Sequence, residues 1–160
     1  MSSLSAVLSA RAALSDLTPL LTDCGRLCGF ACCKGDEQTG MLLFPGEEAL
    51  FAPCAFGRVI PAHFELAGRP AHLFVCNGTC SRENRPLACR LFPLFLYFKK
   101  DGSPRVKLDV RAKAVCPLCD YGVIGLRTEF VAAAKTAYAA LMEDDECAAF
   151  LRALDEAFSL

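Results

Sequence analysis

Apolar residues recur along this chain with two different periods. Near the N-terminus Val7, Ala10, Leu14, Leu17 and Leu21 return at three- and four-residue steps, one stripe of an amphipathic helix. Pro19 interrupts the stripe, and Thr18-Pro19 reads as an N-cap followed by proline at the first helical position. This predicts a helix to about Leu17, then a short second helix that delivers Cys24 near its end. At the other end Phe130, Ala134, Ala137 or Tyr138, and Leu141 form a stripe in an alanine-rich run. Cys147, Phe150, Leu151, Leu154 and Phe158 form another, and Asp144-Asp145 between them can cap it.

The middle of the chain changes to period two. Residues 41–44 suit a short strand, and Pro45-Gly46-Glu47-Glu48 opens a short helix that must stop before Pro53. His63-Phe-Glu-Leu66 and His72-Leu-Phe-Val75 flank Ala67-Gly-Arg-Pro70, which predicts a hairpin. A second hairpin is clearer. Residues 93–100 are apolar and aromatic, Asp101-Gly-Ser-Pro104 turns the chain, and residues 105–111 alternate. Val106, Leu108 and Val110 fall on one face of the returning strand, with Lys107 and Asp109 on the other. The first strand, apolar on both faces, should be the more buried of the two.

Length and charge narrow the class. A chain of 160 residues suits one domain, and it buries roughly 70% of its unfolded surface. The 54% hydrophobic content is that of a globular sequence. A formal charge of −1 gives no overall footprint for nucleic acid and no polybasic membrane patch. No apolar run is long enough to cross a bilayer, and the first residues lack the basic start of a signal peptide. A cytoplasmic setting is therefore expected.

The eleven cysteines change the picture. In a reducing compartment, clustered thiols point to metal rather than to disulfides, and an odd count argues against full pairing. Cys24-Gly-Arg-Leu-Cys28-Gly-Phe-Ala-Cys32-Cys33 packs four thiols into ten residues. Cys76-Asn-Gly-Thr-Cys80 repeats the four-residue step with a glycine inside. Cys89 follows among Arg82, Arg85 and Arg90, cations suited to stabilising a thiolate, although a solvated basic face would read the same way. Cys116-Pro-Leu-Cys119 is a chelating step also used by redox dithiols. The redox version sits in a βαβ setting that this sequence lacks, so metal is the better reading.

Cys54 stands alone and Cys147 lies on a helix stripe, so both read as small buried hydrophobes. His63 and His72 have no metal-type spacing to a cysteine and read as structural. That leaves nine candidate ligands: Cys24, Cys28, Cys32, Cys33, Cys76, Cys80, Cys89, Cys116 and Cys119. Nine exceed the four that one tetrahedral zinc takes, so two sites, a bridged site, or one cluster with spectators are all open. Cys32 and Cys33 diverge by about 100° on a helix, or point to opposite sides of a strand, so they do not easily face one ion together. No phosphate-binding glycine loop, nucleophile elbow or H-E-x-x-H is present.

Cys24 to Cys33, then Cys76-x3-Cys80, then Arg85-Pro-Leu-Ala-Cys89-Arg-Leu-Phe-Pro93, then a late cysteine at 116 or 119, resembles the C-x-x-C-x-x-C-C family. These YkgJ-like cysteine-cluster proteins are described as zinc- or iron-chelating. The likeness covers roughly residues 24–119, and each step of the first motif carries one more residue than the family pattern. The resemblance implies metal binding without supplying a reaction. Flagellin lysine N-methylases are longer proteins that resemble the same family. They keep open a second reading, an iron–sulfur or redox-active enzyme acting on protein side chains. The expected fold is α+β: a small antiparallel sheet of hairpins, with an N-terminal helix and a C-terminal helical hairpin, around a cysteine-rich metal centre. It would form one domain over 1–160, with the N-terminal helix in 1–21, the cysteine-rich core in 24–119 and the C-terminal helices in 127–158. Zinc is the expected ion, with iron or an iron–sulfur cluster the alternative. The metal ion is the one partner implied.

Overall fold

A computed structural model describes residues 2–21, 40–78, 80 and 82–158 of the chain. The first cysteine cluster and the polar loop at 34–39 lie outside the described residues, as does the predicted second helix beyond Leu21; its expected start, residues 18–21, is not helical.

Helix α1 spans Ser3–Leu14, with the Ser2 hydroxyl accepting from Ser5 N–H at its start. It is shorter than the stripe suggests. Ser15 takes φ of 48°, which ends the helix, and its N–H closes on the carbonyls of Arg11 and Ala12. Leu17 still packs on the core, but Leu21 is exposed. Thr18 does not act as an N-cap acceptor: its hydroxyl donates to the Leu20 carbonyl. Pro19 is buried, and its carbonyl accepts from Arg127 N–H at 2.9 Å, which fixes this connection to the start of the C-terminal helices.

Strand β1 (Met41–Leu42), β2 (Gly57–Leu66) and β3 (Arg69–Cys76) form one antiparallel sheet in the order β1-β3-β2. A short 3-10 turn, Glu47–Leu50, lies between the first two. The β2–β3 hairpin is tighter than expected. Leu66 pairs with Arg69, leaving only Ala67 and Gly68 in the turn, at φ of 52° and 74°. Positive φ at both central residues is what a type I′ turn needs to match strand twist. Opposite this turn's end the register slips: Ala62, His63 and Phe64 face Ala71 alone between the Pro61–His72 and Glu65–Pro70 pairs. Pro61 and the bulge fall on an edge strand, where a missing N–H costs least. His63 is exposed on the bulge and His72 is half-buried.

Helix α2 (Leu87–Leu91) is only five residues long. Strands β4 (Leu94–Phe98) and β5 (Pro104–Leu108) then form a separate two-stranded sheet, so the strands make two sheets rather than one. As expected, β4 is the more buried, with Leu94, Phe95 and Leu96 in the core. The alternation fails at the end of β5. Asp109, expected to face outward, is buried, and Val110, expected to face inward, is about half exposed. The cause is local. The Asp109 carboxylate caps a 3-10 turn over Val110–Ala114 through Arg111 N–H at 2.8 Å, and it takes two further bonds from the Arg111 guanidinium.

Helices α3 (Thr128–Met142) and α4 (Asp145–Phe158) carry the stripes read from the sequence. Phe130, Ala134, Ala137, Tyr138 and Leu141 are buried on α3; Cys147, Phe150, Leu151 and Leu154 are buried on α4. Asp144 accepts from Cys147 N–H at 3.0 Å and so caps α4 as predicted. Helix α1 packs chiefly on α3. Ala6 and Ala10 on one and Ala134 and Ala137 on the other are fully buried; such small side chains let two backbones approach closely. The main core joins these helices to β4 and to the inner face of β3; a smaller cluster of Leu43, Phe51 and Phe74 lies on the other side of β3. The protein is thus of the α+β class. Among the described residues no helix is long and apolar enough to cross a membrane.

Candidate metal centre

Of the nine candidate ligands, Cys24, Cys28, Cys32 and Cys33 lie outside the described residues. Cys76, Cys80, Cys89, Cys116 and Cys119 are described, and all are half-buried. Among the described residues no three His, Cys, Asp or Glu side chains are grouped closely enough to hold a metal ion. Cys54 is half-buried rather than buried and packs with Phe56 and Cys76 against the smaller core cluster. Cys147 is fully buried on α4, as its stripe position requires.

Cys76 ends β3, and the chain leaves the sheet through Asn77, whose N–H donates to the Phe56 carbonyl at 2.9 Å. Gly78 then takes φ of 124°, a conformation that a side chain would strain. This turn aims Gly78 N–H at the Cys76 sulfur, 3.4 Å away. A backbone N–H two residues on that donates to sulfur stabilises a thiolate, whether or not a metal shares it.

The loops that carry Cys80 and Cys89 are held by a largely buried frame of charged side chains that begins on α1. Arg11 donates to the carbonyls of Arg85, at 2.6 Å, and Glu83, at 3.0 Å. Arg85 in turn donates to the Cys80 carbonyl at 3.2 Å, and Arg90 returns to the Arg11 carbonyl at 3.0 Å. Arg85 and Arg90 are 8% and 6% exposed, so a solvated basic face is the wrong description of these two. All four bonds end on backbone carbonyls and so fix loop shape.

Helix α2, which carries Cys89, cannot satisfy its own first N–H groups, and Pro86 before it supplies no side-chain cap. Glu47 does so from forty residues earlier. Its carboxylate accepts from Leu87 N–H at 2.6 Å and from Phe44 N–H at 2.9 Å, with Arg11 3.6 Å away. Glu47 is completely buried. Burial pushes its carboxyl above the ordinary value, opposed by the two N–H bonds and by Arg11. The sequence pattern places Glu47 in a helix start and gives Arg11 no role. A charged pair inside an otherwise apolar pattern is the only signal that could have found them.

Cys116 and Cys119 lie on one turn. Cys116 stands at the N-cap of a 3-10 helix, Pro117–Tyr121, with Pro117 at its first position, and Cys119 N–H reaches the Cys116 carbonyl at 3.2 Å. The two thiols are close enough to influence one another. Burial first, then Cys116, Asp109 and Asp120, push the Cys119 thiol up. The turn follows an antiparallel hairpin, not a βαβ unit. Two thiols with carboxylates close by suit a cation, whose charge offsets what a second thiolate would otherwise meet.

Compared with family models, with curated proteins and with solved structures, the chain finds no match in any of the three.

Proposed function

We propose that this chain is a metal-binding cysteine-cluster protein that chelates zinc through thiolates. The observation that carries the reading is the Gly78 N–H directed at the Cys76 sulfur, within a loop whose next cysteine is anchored through Arg85. A frame of buried Glu47, Arg85 and Arg90 with part-buried Arg11 is a large electrostatic commitment for fixing loops that carry Cys80 and Cys89. Pre-orienting soft ligands is a use that matches it. Cys116 and Cys119 supply a chelating pair. Because the described donors do not make a three-ligand group among themselves, a tetrahedral site needs donors from Cys24, Cys28, Cys32 or Cys33. The family likeness to YkgJ-like proteins, which rests on those motifs and on residues 85–93, agrees with this assignment. Bound zinc would supply structure: it would tie the cysteine loops to the sheet and helices, with ~10–16 kcal/mol of apparent binding energy available from such sites.

Metal analysis of anaerobically purified protein, read together with its visible spectrum, tests the reading. Colourless protein carrying about one or two zinc ions per chain is the expected result. A brown protein with iron and visible absorbance would replace zinc by an iron–sulfur centre and open the enzymatic alternative. Protein isolated with no transition metal, and unable to bind added zinc, would remove the function.

A further inference from the structure

Strand β5 has an open side. It pairs only with β4, and among the described residues no strand covers its other edge. Asp109 N–H donates to the Pro93 carbonyl at 2.8 Å and Lys99 N–H to the Ser103 carbonyl at 2.9 Å. Hydrogen-bonded pairs alternate in an antiparallel ladder, so Arg105 and Lys107 turn their backbone groups toward β4. By the same alternation Val106 turns its N–H and C=O outward.

A groove of about 1010 Å³ runs along this edge, between β5 and α3. All five residues of β5 line it, although successive side chains point to opposite faces. The groove also takes in Leu96 of β4, opposite Val106, so it borders the strand and the sheet face that carries these two residues. Its floor is apolar, with Tyr138, Ala139 and Met142 of α3 and, beyond the strand, the part-exposed Val110 and Val123. Its charged residues are all cations: Arg105, Lys107, Lys113 and Lys135, drawn from three separate elements of a chain whose net charge is −1.

We propose that the open edge of β5 is a docking site for an extended polypeptide segment in which apolar and acidic residues alternate. Such a segment adds a third strand to the β4–β5 sheet. Its backbone meets Val106, its apolar side chains lie on the α3 floor, and its carboxylates, on the opposite face, meet Arg105 and Lys107, while Lys113 and Lys135 at the margin of the groove add longer-range attraction. Cations on an edge strand also discourage aggregation, but that role needs neither the apolar groove nor the lysines of the other two elements. A second copy of the chain is a poor occupant. Antiparallel self-pairing centred on Val106 would set Arg105 of one copy opposite Lys107 of the other, and directly opposed like charges destabilise a sheet. An anionic membrane would satisfy the lysines and leave the outward backbone groups unused.

The test uses the whole protein, a fluorescein-labelled peptide alternating glutamate and valine, and vesicles containing phosphatidylserine. The expected result is saturable peptide binding by anisotropy that weakens with salt. It should fall about tenfold or more in K113E/K135E, which changes two exposed lysines. Val106→Pro removes an N–H that points away from β4 and so spares the ladder; the same loss is expected there. In the unaltered protein, amide shifts on adding peptide should centre on residues 104–110 and 135–142. Peptide binding that Val106→Pro leaves unchanged, shifts centred elsewhere, vesicle binding without peptide binding, or no binding near the millimolar range would each overturn the proposal.

Discussion

The Glu47 carboxylate caps a helix that begins at Leu87, 2.6 Å from the Leu87 N–H. Both of its oxygens accept backbone N–H groups, so the site requires two acceptors. Glu47→Gln places an NH2 group against one of those N–H donors and leaves a buried donor unsatisfied. The expected cost is about 1–3 kcal/mol in denaturant unfolding. An unchanged midpoint would show that the cap contributes little. The native carboxyl is raised above its ordinary value of 4.5, first by burial, so in the pH interval between those two values the folded state keeps a proton that the unfolded state has released. This group's own contribution therefore falls as pH rises from about 4.5 through the raised value, and Glu47→Gln should lose that part of the pH dependence.

Asp144 behaves in the opposite sense. Desolvation would raise its carboxyl, but Cys147 N–H and the Ser3 hydroxyl outweigh it and hold the group below its ordinary 3.8. Stability from this group is present above 3.8 and is lost as pH falls through the depressed native value. Asp144→Ala should cost about 1 kcal/mol near neutral pH, as the loss of an N-cap does. The gap to the unaltered protein should narrow in acid. A gap constant from pH 7 down to about 2 would contradict the assignment.

Ala67 sits at φ of 52° in a turn that favours Asn-Gly or Asp-Gly. Ala67→Asn should stabilise the protein by roughly 0.5–1 kcal/mol, because asparagine tolerates that region better than alanine. Thermal unfolding is the measurement, and a lower Tm would count against the turn.

The cysteines divide by environment. Burial, and after it Asp144, push the Cys147 thiol up to about 12, so in the folded protein it should be the last to react with iodoacetamide. Cys147→Ser should keep its full metal content and Cys89→Ser should lose much of it, since serine is a poor ligand for a soft site. Equal metal content in the two purified variants would show that Cys89 is not a ligand.

Chelation should act on loops before helices. Protection from hydrogen exchange is expected to fall first over residues 24–34 and 76–89, with α1, α3, α4 and the β4–β5 hairpin retained on their own apolar faces. Unchanged protection in both loops, in protein shown to have lost its metal, would mean the cysteines do not hold the fold.

What the sequence determined alone is what local chemistry determines. The stripes of α3 and α4, the Asp144 cap and the greater burial of β4 follow from periodicity and capping, which act within a few residues. The hairpin at residues 67–68 was legible as a turn, but its two-residue length and the bulge opposite Ala71 depend on how β2 fits β3. Periodicity likewise placed Cys147 on the buried stripe of α4.

Tertiary structure decided the rest, and it did so through charge. Glu47, Arg11, Arg85, Arg90 and Asp109 are polar residues that a hydrophobic pattern assigns to the surface, yet all five carry buried or part-buried bonds. A charge is tolerated inside only where a partner waits, and here the partners stand up to 79 residues away. The cationic groove beside β5 has the same origin. The chain is nearly neutral, and its lysines become a patch only because β5, the turn after it and α3 meet. Periodicity tells which side of an element is apolar; it cannot tell which distant element will lie against it, and that placement decides where a charge can stand.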